Sequence, residues 1–360
     1  MDDKYLLWLS RVDGVNNKIR TPLLEHFGSA EAIFRARRFE LQEAELLNEQ
    51  YIHKIISHQD DKLLDGYLNE LEETGIRFIS LMSDEYPAPL REISDPPLGF
   101  YLLGTLPDPE LCKVSIIGSR RCSEYGLSVA HKFSKELAQA GVVIVSGMAR
   151  GIDSMAHRGT LDAGGVTVAV LGCGVDVCYP PENKSLIRRI QEKGCVISEY
   201  PPGTQLFPAH FPARNRIISG MSRATVVVEA SRRSGTLITV DQALNEGREV
   251  MAVPGNVTSK LSEGTNNLIR QGAAPVTSSA EILDNLGITF DEPGEDTAAA
   301  KNTLAPPEKL VYDCIGFDPT AIEAVYDKLG SPPGEINYVL TLLEMRKLIR
   351  RLPGQRVTRL

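Results

Sequence analysis

From residue 113 to about 253 the chain alternates short aliphatic, β-branched runs with longer amphipathic stretches. The runs at 113–117, 142–146, 166–171, 195–198, 224–229 and 249–253 read as strands, and 124–140, 152–163, 182–193 and 236–246 as the helices between them. This order predicts an α/β fold with a doubly wound, largely parallel sheet. Upstream, Leu23, Leu24, Phe27, Ile33, Phe34, Leu41, Leu46 and Leu47 recur at helical spacing with no strand alternation, so residues 1–78 read as a helical domain. Pro87, Pro89, Pro96 and Pro97 punctuate 79–112, which leads into the 79–288 sheet domain as an edge strand or covering segment. The polar, acidic stretch 289–307 reads as a linker. Beyond it, 308–360 offers three helices (310–315, 321–329 and 335–344) and two strands about the Pro353-Gly354 turn, the order of a winged helix.

Within the helical domain, Val12-Asp13-Gly14-Val15 followed by Leu23 to Ser29 resembles a helix-hairpin-helix unit, or SAM-like domain. Such hairpins offer backbone amides to a phosphate. Here Gly14 is followed by Val15-Asn16-Asn17, so a structural role is the better reading. The winged-helix tail carries Arg346, Lys347, Arg350, Arg351, Arg356 and Arg359 with no acid among them. Two readings stay open there, an anionic partner or a solvated basic hairpin.

At 360 residues, with 42% hydrophobic and 24% charged content, the chain is long enough for two or three domains and at least one well-buried core. No apolar run approaches the ~20 residues that span a bilayer. The amino terminus, Met1-Asp2-Asp3-Lys4, has no signal-peptide pattern, so no membrane partner and a cytoplasmic location are expected. The six cysteines (112, 122, 173, 178, 195 and 314) form no CxxC pair and read as reduced thiols rather than metal ligands. A net charge of −8 argues mildly against a nucleic-acid partner, yet a local field captures a polyanion whatever the total. Much of the acid lies in the first eighty residues and in 291–296, away from the turns of the sheet domain.

Those turns carry the candidate chemistry. Strand 113–117 runs into Gly118-Ser119-Arg120-Arg121, strand 142–146 into Gly147-Met148-Ala149-Arg150-Gly151, and strand 224–229 into Ser231 to Thr236, with Ser234, Gly235 and Thr236 at its end. In a doubly wound sheet such turns gather at the carboxyl edge of the strands, where ligands bind. Glycine lets backbone amides approach an anion, a helix start adds its positive end, and arginine adds a planar fork for phosphate. Lys184 lies in the first turns of a helix at the same edge, and Phe211-Pro212-Ala213-Arg214-Asn215-Arg216 opens the next, beside Phe207. Basic groups interleaved with aromatics suit a single strand whose phosphates are paired and whose bases stack. There is no P-loop, no GxGxxG, no GxSxG elbow and no HExxH. Asp153 reads as a helix-start acid and His157 as structural. No cofactor and no catalytic residue is therefore expected.

Gly118-Ser119-Arg120, Ser146 to Asp153, Tyr179-Pro180, Ser198 to Pro201, Phe211 to Gly220 and Ser234-Gly235-Thr236, in this order, resemble the DprA/Smf family of bacterial DNA-processing proteins. The resemblance implies an extended Rossmann-like domain that binds single-stranded DNA, forms a homodimer and helps load the RecA recombinase during natural transformation. It places the family's phosphate-contacting arginine on Arg120, its helix-start lysine on Lys184 and its FPxRNR arginines on Arg214 and Arg216. A lysine that some members carry shortly before FPxRNR is missing from Leu206-Phe207-Pro208-Ala209-His210. The rival reading is an enzyme. Ser231 to Asp241 is similar to the threonine loop of phosphoribohydrolases that cleave nucleoside monophosphates, but Leu237, Ile238 and Thr239 stand where that chemistry needs a carboxylate.

Overall fold

A computed structural model describes residues 3–289, 304–346 and 348–359. The chain divides into two compact units, Met1–Ile288 and Thr289–Leu360. Of the expected linker 289–307, residues 290–303 lie outside the described residues.

The first unit opens with six helices: α1 (Asp3–Arg11), α2 (Asn17–Phe27), α3 (Ala30–Arg35), α4 (Arg38–Glu43), α5 (Glu49–His58) and α6 (Asp61–Thr74). Their apolar stripes close on Trp8, Leu9, Leu23, Ile33, Leu41, Ile52 and Ile55, all at most 1% exposed. This layer is fastened to the sheet. Leu7 and Leu71 share a core with Tyr101, and Arg11 donates from Nε to the Tyr101 hydroxyl at 3.1 Å.

The sheet has nine strands: β1 (Arg77–Ser80), β2 (Gly99–Gly104), β3 (Lys113–Ile117), β4 (Val143–Ser146), β5 (Thr167–Leu171), β6 (Cys195–Ser198), β7 (Ala224–Val227), β8 (Glu249–Ala252) and β9 (Ala274–Pro275). Their spatial order is β1-β2-β6-β5-β4-β3-β7-β8-β9. From β6 to β9 every pairing is parallel, whereas β2 joins β6, and β1 joins β2, antiparallel. The central strands β3 to β7 are buried along their whole length, which is why they read as unbroken apolar runs rather than alternations. The crossovers run through α8 (Glu124–Gln139), α9 (Ile152–Asp162), α10 (Lys184–Lys193), α11 (His210–Gly220), α12 (Thr236–Asn245) and α13 (Glu263–Arg270). A short helix α7 (Ala88–Arg91) lies between β1 and β2, and α14 (Ser279–Asn285) follows β9. Segment 79–112 thus supplies most of an antiparallel strand pair. Its prolines fall in the connection, where no ladder hydrogen bond is needed.

The second unit contains α15 (Pro306–Asp313), β10 (Thr320–Ala321), α16 (Ile322–Leu329), α17 (Pro333–Met345), β11 (Ile349–Leu352) and β12 (Arg356–Arg359), with strand order β10-β12-β11. This is a winged helix. α15 starts at Pro306, earlier than the sequence pattern indicated, because the ring presets a helical φ where no amide donor is required. Three arginines of its basic tail are neutralised within the unit: Arg346 by Glu308 at 3.0 Å, Arg351 by Glu344 at 3.6 Å and Arg359 by Asp313 at 3.7 Å. Arg350 and Arg356 stay exposed.

Candidate nucleic-acid interface

Because β3 to β8 run parallel, the turns that leave them meet at one edge. Hydrogen bonds join these turns into a continuous surface. Ser119 N donates to the Glu229 carbonyl at 2.8 Å, linking the turns after β3 and β7. Ile152 N donates to the Ser119 carbonyl at 3.4 Å, linking those after β4 and β3. Gly151 has φ +79°, and a Cβ there would collide with that same carbonyl, so this junction requires glycine. Asn183, buried, donates to the Met148 carbonyl at 3.1 Å and to Ser154 Oγ at 2.7 Å, fixing the start of α10 and hence Lys184.

The cations on this edge fall into two groups. Arg120 and Lys184 are exposed, and their side chains have no hydrogen-bond or ion-pair partner among the described residues; the same holds for the side chains of Arg121, Arg232 and Arg233. The Arg120 guanidinium lies over the Phe211 ring, 4.1 Å from its centroid. Tyr179 meets the same ring at 6.4 Å between centroids, and Phe207 is 60% exposed beside His210, which stacks on Tyr200 at 3.9 Å. An unpaired planar cation therefore sits on an aromatic platform. Arg150, by contrast, is paired with Glu182, its Nη2 donating at 3.1 Å.

Arg214 and Arg216, both expected among the DNA-binding residues, point inward rather than toward the solvent edge. Arg214 is 3% exposed; it donates to the Gly147 carbonyl at 2.5 Å, to the Val170 carbonyl, and to Asn215 Oδ1 at 3.2 Å. Burial lowers its pKa to about 10, against the pull of Asp153. Arg216 is 8% exposed and clamps Glu199 with two bonds of 2.8 Å, while its Nε reaches Asp95 Oδ2 at 3.0 Å. Glu199 also accepts from Asn17 at 3.0 Å, tying the start of α2 to α11. These two arginines hold the frame on which Arg120 and Phe211 stand.

Two buried carboxylates complete that frame, and sequence reasoning gave neither a part in the interface. Asp153 faces Arg214, and the backbone amides of Ala149 and Gly118 also favour its ionised form; burial nonetheless pushes its pKa up to about 6. Glu229 faces the start of α8. His157 is fully buried, its Nδ1 bonding Thr167 Oγ1 at 2.7 Å. Ser234, Gly235 and Thr236 open α12, with Ser234 Oγ donating to Thr236 Oγ1 at 2.9 Å. Asp241, the first acid after them, is exposed on the helix. Among the described residues no cluster of His, Cys, Asp and Glu has the arrangement of a metal site, and no helix is long and apolar enough to cross a membrane.

Residues 77–287 match the family model described as DNA recombination-mediator protein A, and residues 295–355 match the DprA winged helix domain. Protein Smf of Synechocystis is 33% identical over 393 residues, covering 99% of both chains, and the DNA processing protein DprA of Streptococcus pneumoniae is 46% identical over 204 residues, covering 57% of this chain and 72% of its own. The crystal structure of S. pneumoniae DprA superposes with a TM-score of 0.69 at 35% identity, covering 80% of this chain and 99% of that one. A Helicobacter pylori DprA structure, whose subject is a single-stranded DNA binding mode, gives a TM-score of 0.52 at 28% identity over 59% of this chain and 95% of that one. The chain is a member of the DprA/Smf family of DNA-processing proteins.

Proposed function

We propose that the carboxyl edge of the sheet binds single-stranded DNA, and that the chain acts in DNA processing during transformation and recombination. The observation that carries this reading is the exposed Arg120, without an ion-pair partner and stacked on Phe211, with Lys184 at the start of α10 on the same edge. Phosphates draw the guanidinium off the ring, and the freed aromatic face takes a base. A flexible single strand follows such an edge, whereas a stiff duplex does not. Phosphate contacts position the strand without reading it, so binding is independent of sequence. The family relationship extends the proposal to a homodimer that hands the strand to RecA, with no nucleotide turnover of its own. The test compares single- and double-stranded DNA over a salt titration. Single strands bind more tightly, with a log–log slope of roughly −0.7 per phosphate neutralised. Equal affinity for duplex, or binding that ignores salt, would refute the proposal.

A further inference from the structure

The strand order has a switch point between β3 and β7: the chain winds outward through β4, β5 and β6 on one side and through β7, β8 and β9 on the other. In doubly wound sheets the crevice at that point, closed by the N-terminus of the helix after the first strand, is where a nucleotide phosphate sits. Here that helix is α8, sixteen residues long. Two amides at its start, those of Ser123 and Gly126, are already taken. Ser123 caps the helix, its Oγ accepting from Gly126 N at 3.1 Å. Glu229, two residues beyond β7 and 3% exposed, reaches across the switch point and accepts from Ser123 N at 2.9 Å and from Ser123 Oγ at 2.5 Å. Its carboxylate packs so closely on Gly126 that a Cβ there would collide with it.

A carboxylate buried this deeply is normally paired with a cation. Among the described residues none forms an ion pair with Glu229. Its counter-charge is the helix start, the same group that would bind a phosphate. The Glu229 backbone meanwhile accepts from Ser119 N, so one residue fills the crevice and holds the Arg120 turn in front of it.

We propose that Glu229 is a built-in anion occupying the phosphate seat of this fold, and thereby a specificity-determining residue. It excludes free phosphate and mononucleotides from the switch point and leaves the outer row of cations as the seat for phosphates. This last consequence rests on the proposed DNA interface; the occupancy of the crevice does not.

The test is a titration of the full chain with inorganic phosphate against chloride at matched ionic strength, followed by thermal unfolding and by backbone amide shifts at Ser123 and Gly126. The wild type shows no saturable shift at these amides. Glu229→Ala, which strands the donors in an emptied seat, is destabilised; phosphate restores its melting temperature saturably and shifts both amides. Glu229→Ser keeps an acceptor for Ser123 and shows the same phosphate response with a smaller initial loss. Saturable phosphate shifts at Ser123 and Gly126 in the wild type would overturn the proposal whatever the variants do. So would a folded Glu229→Ala or Glu229→Ser that ignores phosphate. No DNA is present in these measurements, so their outcome is separate from that of the DNA-binding reading.

Discussion

Replacing Arg216 by Ala separates an arginine that builds the interface from one that touches DNA. The Arg216 side chain is 10% exposed and that of Glu199 15%, and the two share a bidentate contact with both bonds at 2.8 Å. Removing one partner of such a pair strands the other in a poorly solvated place, which costs about 3–5 kcal/mol. Glu199 keeps Asn17, so the lower half of that range is the better figure. In a unit of this size each kcal/mol lowers the melting temperature by roughly 2–4 °C, giving a drop on the order of 6–16 °C. Arg150→Ala breaks an ion pair whose side chains are 57% and 52% exposed and costs about 0–1 kcal/mol. Arg120→Ala gives up one exposed cation–π contact, about 0.5–1 kcal/mol. Urea titration checks the series. Trp8, the single tryptophan, is fully buried and reports the helical layer by fluorescence, while circular dichroism reports the whole chain. Coincident transitions license the comparison. An Arg216→Ala protein within about 0.5 kcal/mol of the wild type, yet several-fold weaker on single-stranded DNA, would refute the sorting and return Arg216 to the DNA contacts.

Three further outcomes follow from the same geometry. Glu182→Gln releases Arg150 to the solvent edge and raises single-strand affinity by roughly two- to five-fold, the worth of an exposed pair, with a steeper salt slope in a filter-binding assay. Asp153 holds its proton up to about pH 6 in the native state but only to about pH 4 when unfolded, so its contribution is fully present below pH 4 and is lost as pH rises through 6, to a limit of about 3 kcal/mol. Relative to Asp153→Asn, the wild type therefore loses stability between pH 4 and 7 in calorimetry; the opposite slope would mean that Arg214 keeps the carboxylate ionised. A chain ending at residue 289 stays folded and still binds single strands, because the first unit contains its own core and the whole proposed interface; complete loss of binding would shift the primary site to the winged helix.

The parallel strands were legible because they are buried on both faces and so leave unbroken runs such as Val114 to Ile117, bounded by turn residues. The antiparallel pair β1–β2 was harder to place. It is punctuated by prolines, and Gly99 to Gly104 carries no alternation, since four of its residues are buried whichever face they point to. At the interface, sequence gave the residue types but not their orientation. Arg120, Arg214 and Arg216 look alike along the chain, but what sorts them is the distance in sequence to their partners. Arg216 meets Asp95 across 121 positions, and Arg214 meets Gly147 across 67, pairings that no local spacing encodes. Glu229 was hidden for the same reason: its partner Ser123 lies 106 residues away. The Gly118-Ser119-Arg120 and FPxRNR motifs are plain in the sequence, but that Arg120 is exposed while Arg214 and Arg216 are buried emerges only from the fold.

The most direct measurement is the affinity of a fluorescent single strand for the wild type, Arg120→Ala and Lys184→Ala at several salt concentrations, with folding verified for each. Loss of the Arg120 fork weakens binding by about 1–3 kcal/mol, roughly 5- to 150-fold. Loss of the Lys184 point charge weakens it less. The double variant also flattens the salt slope. If both single variants remain folded and bind like the wild type at moderate salt, the carboxyl edge of the sheet is not where the strand lies.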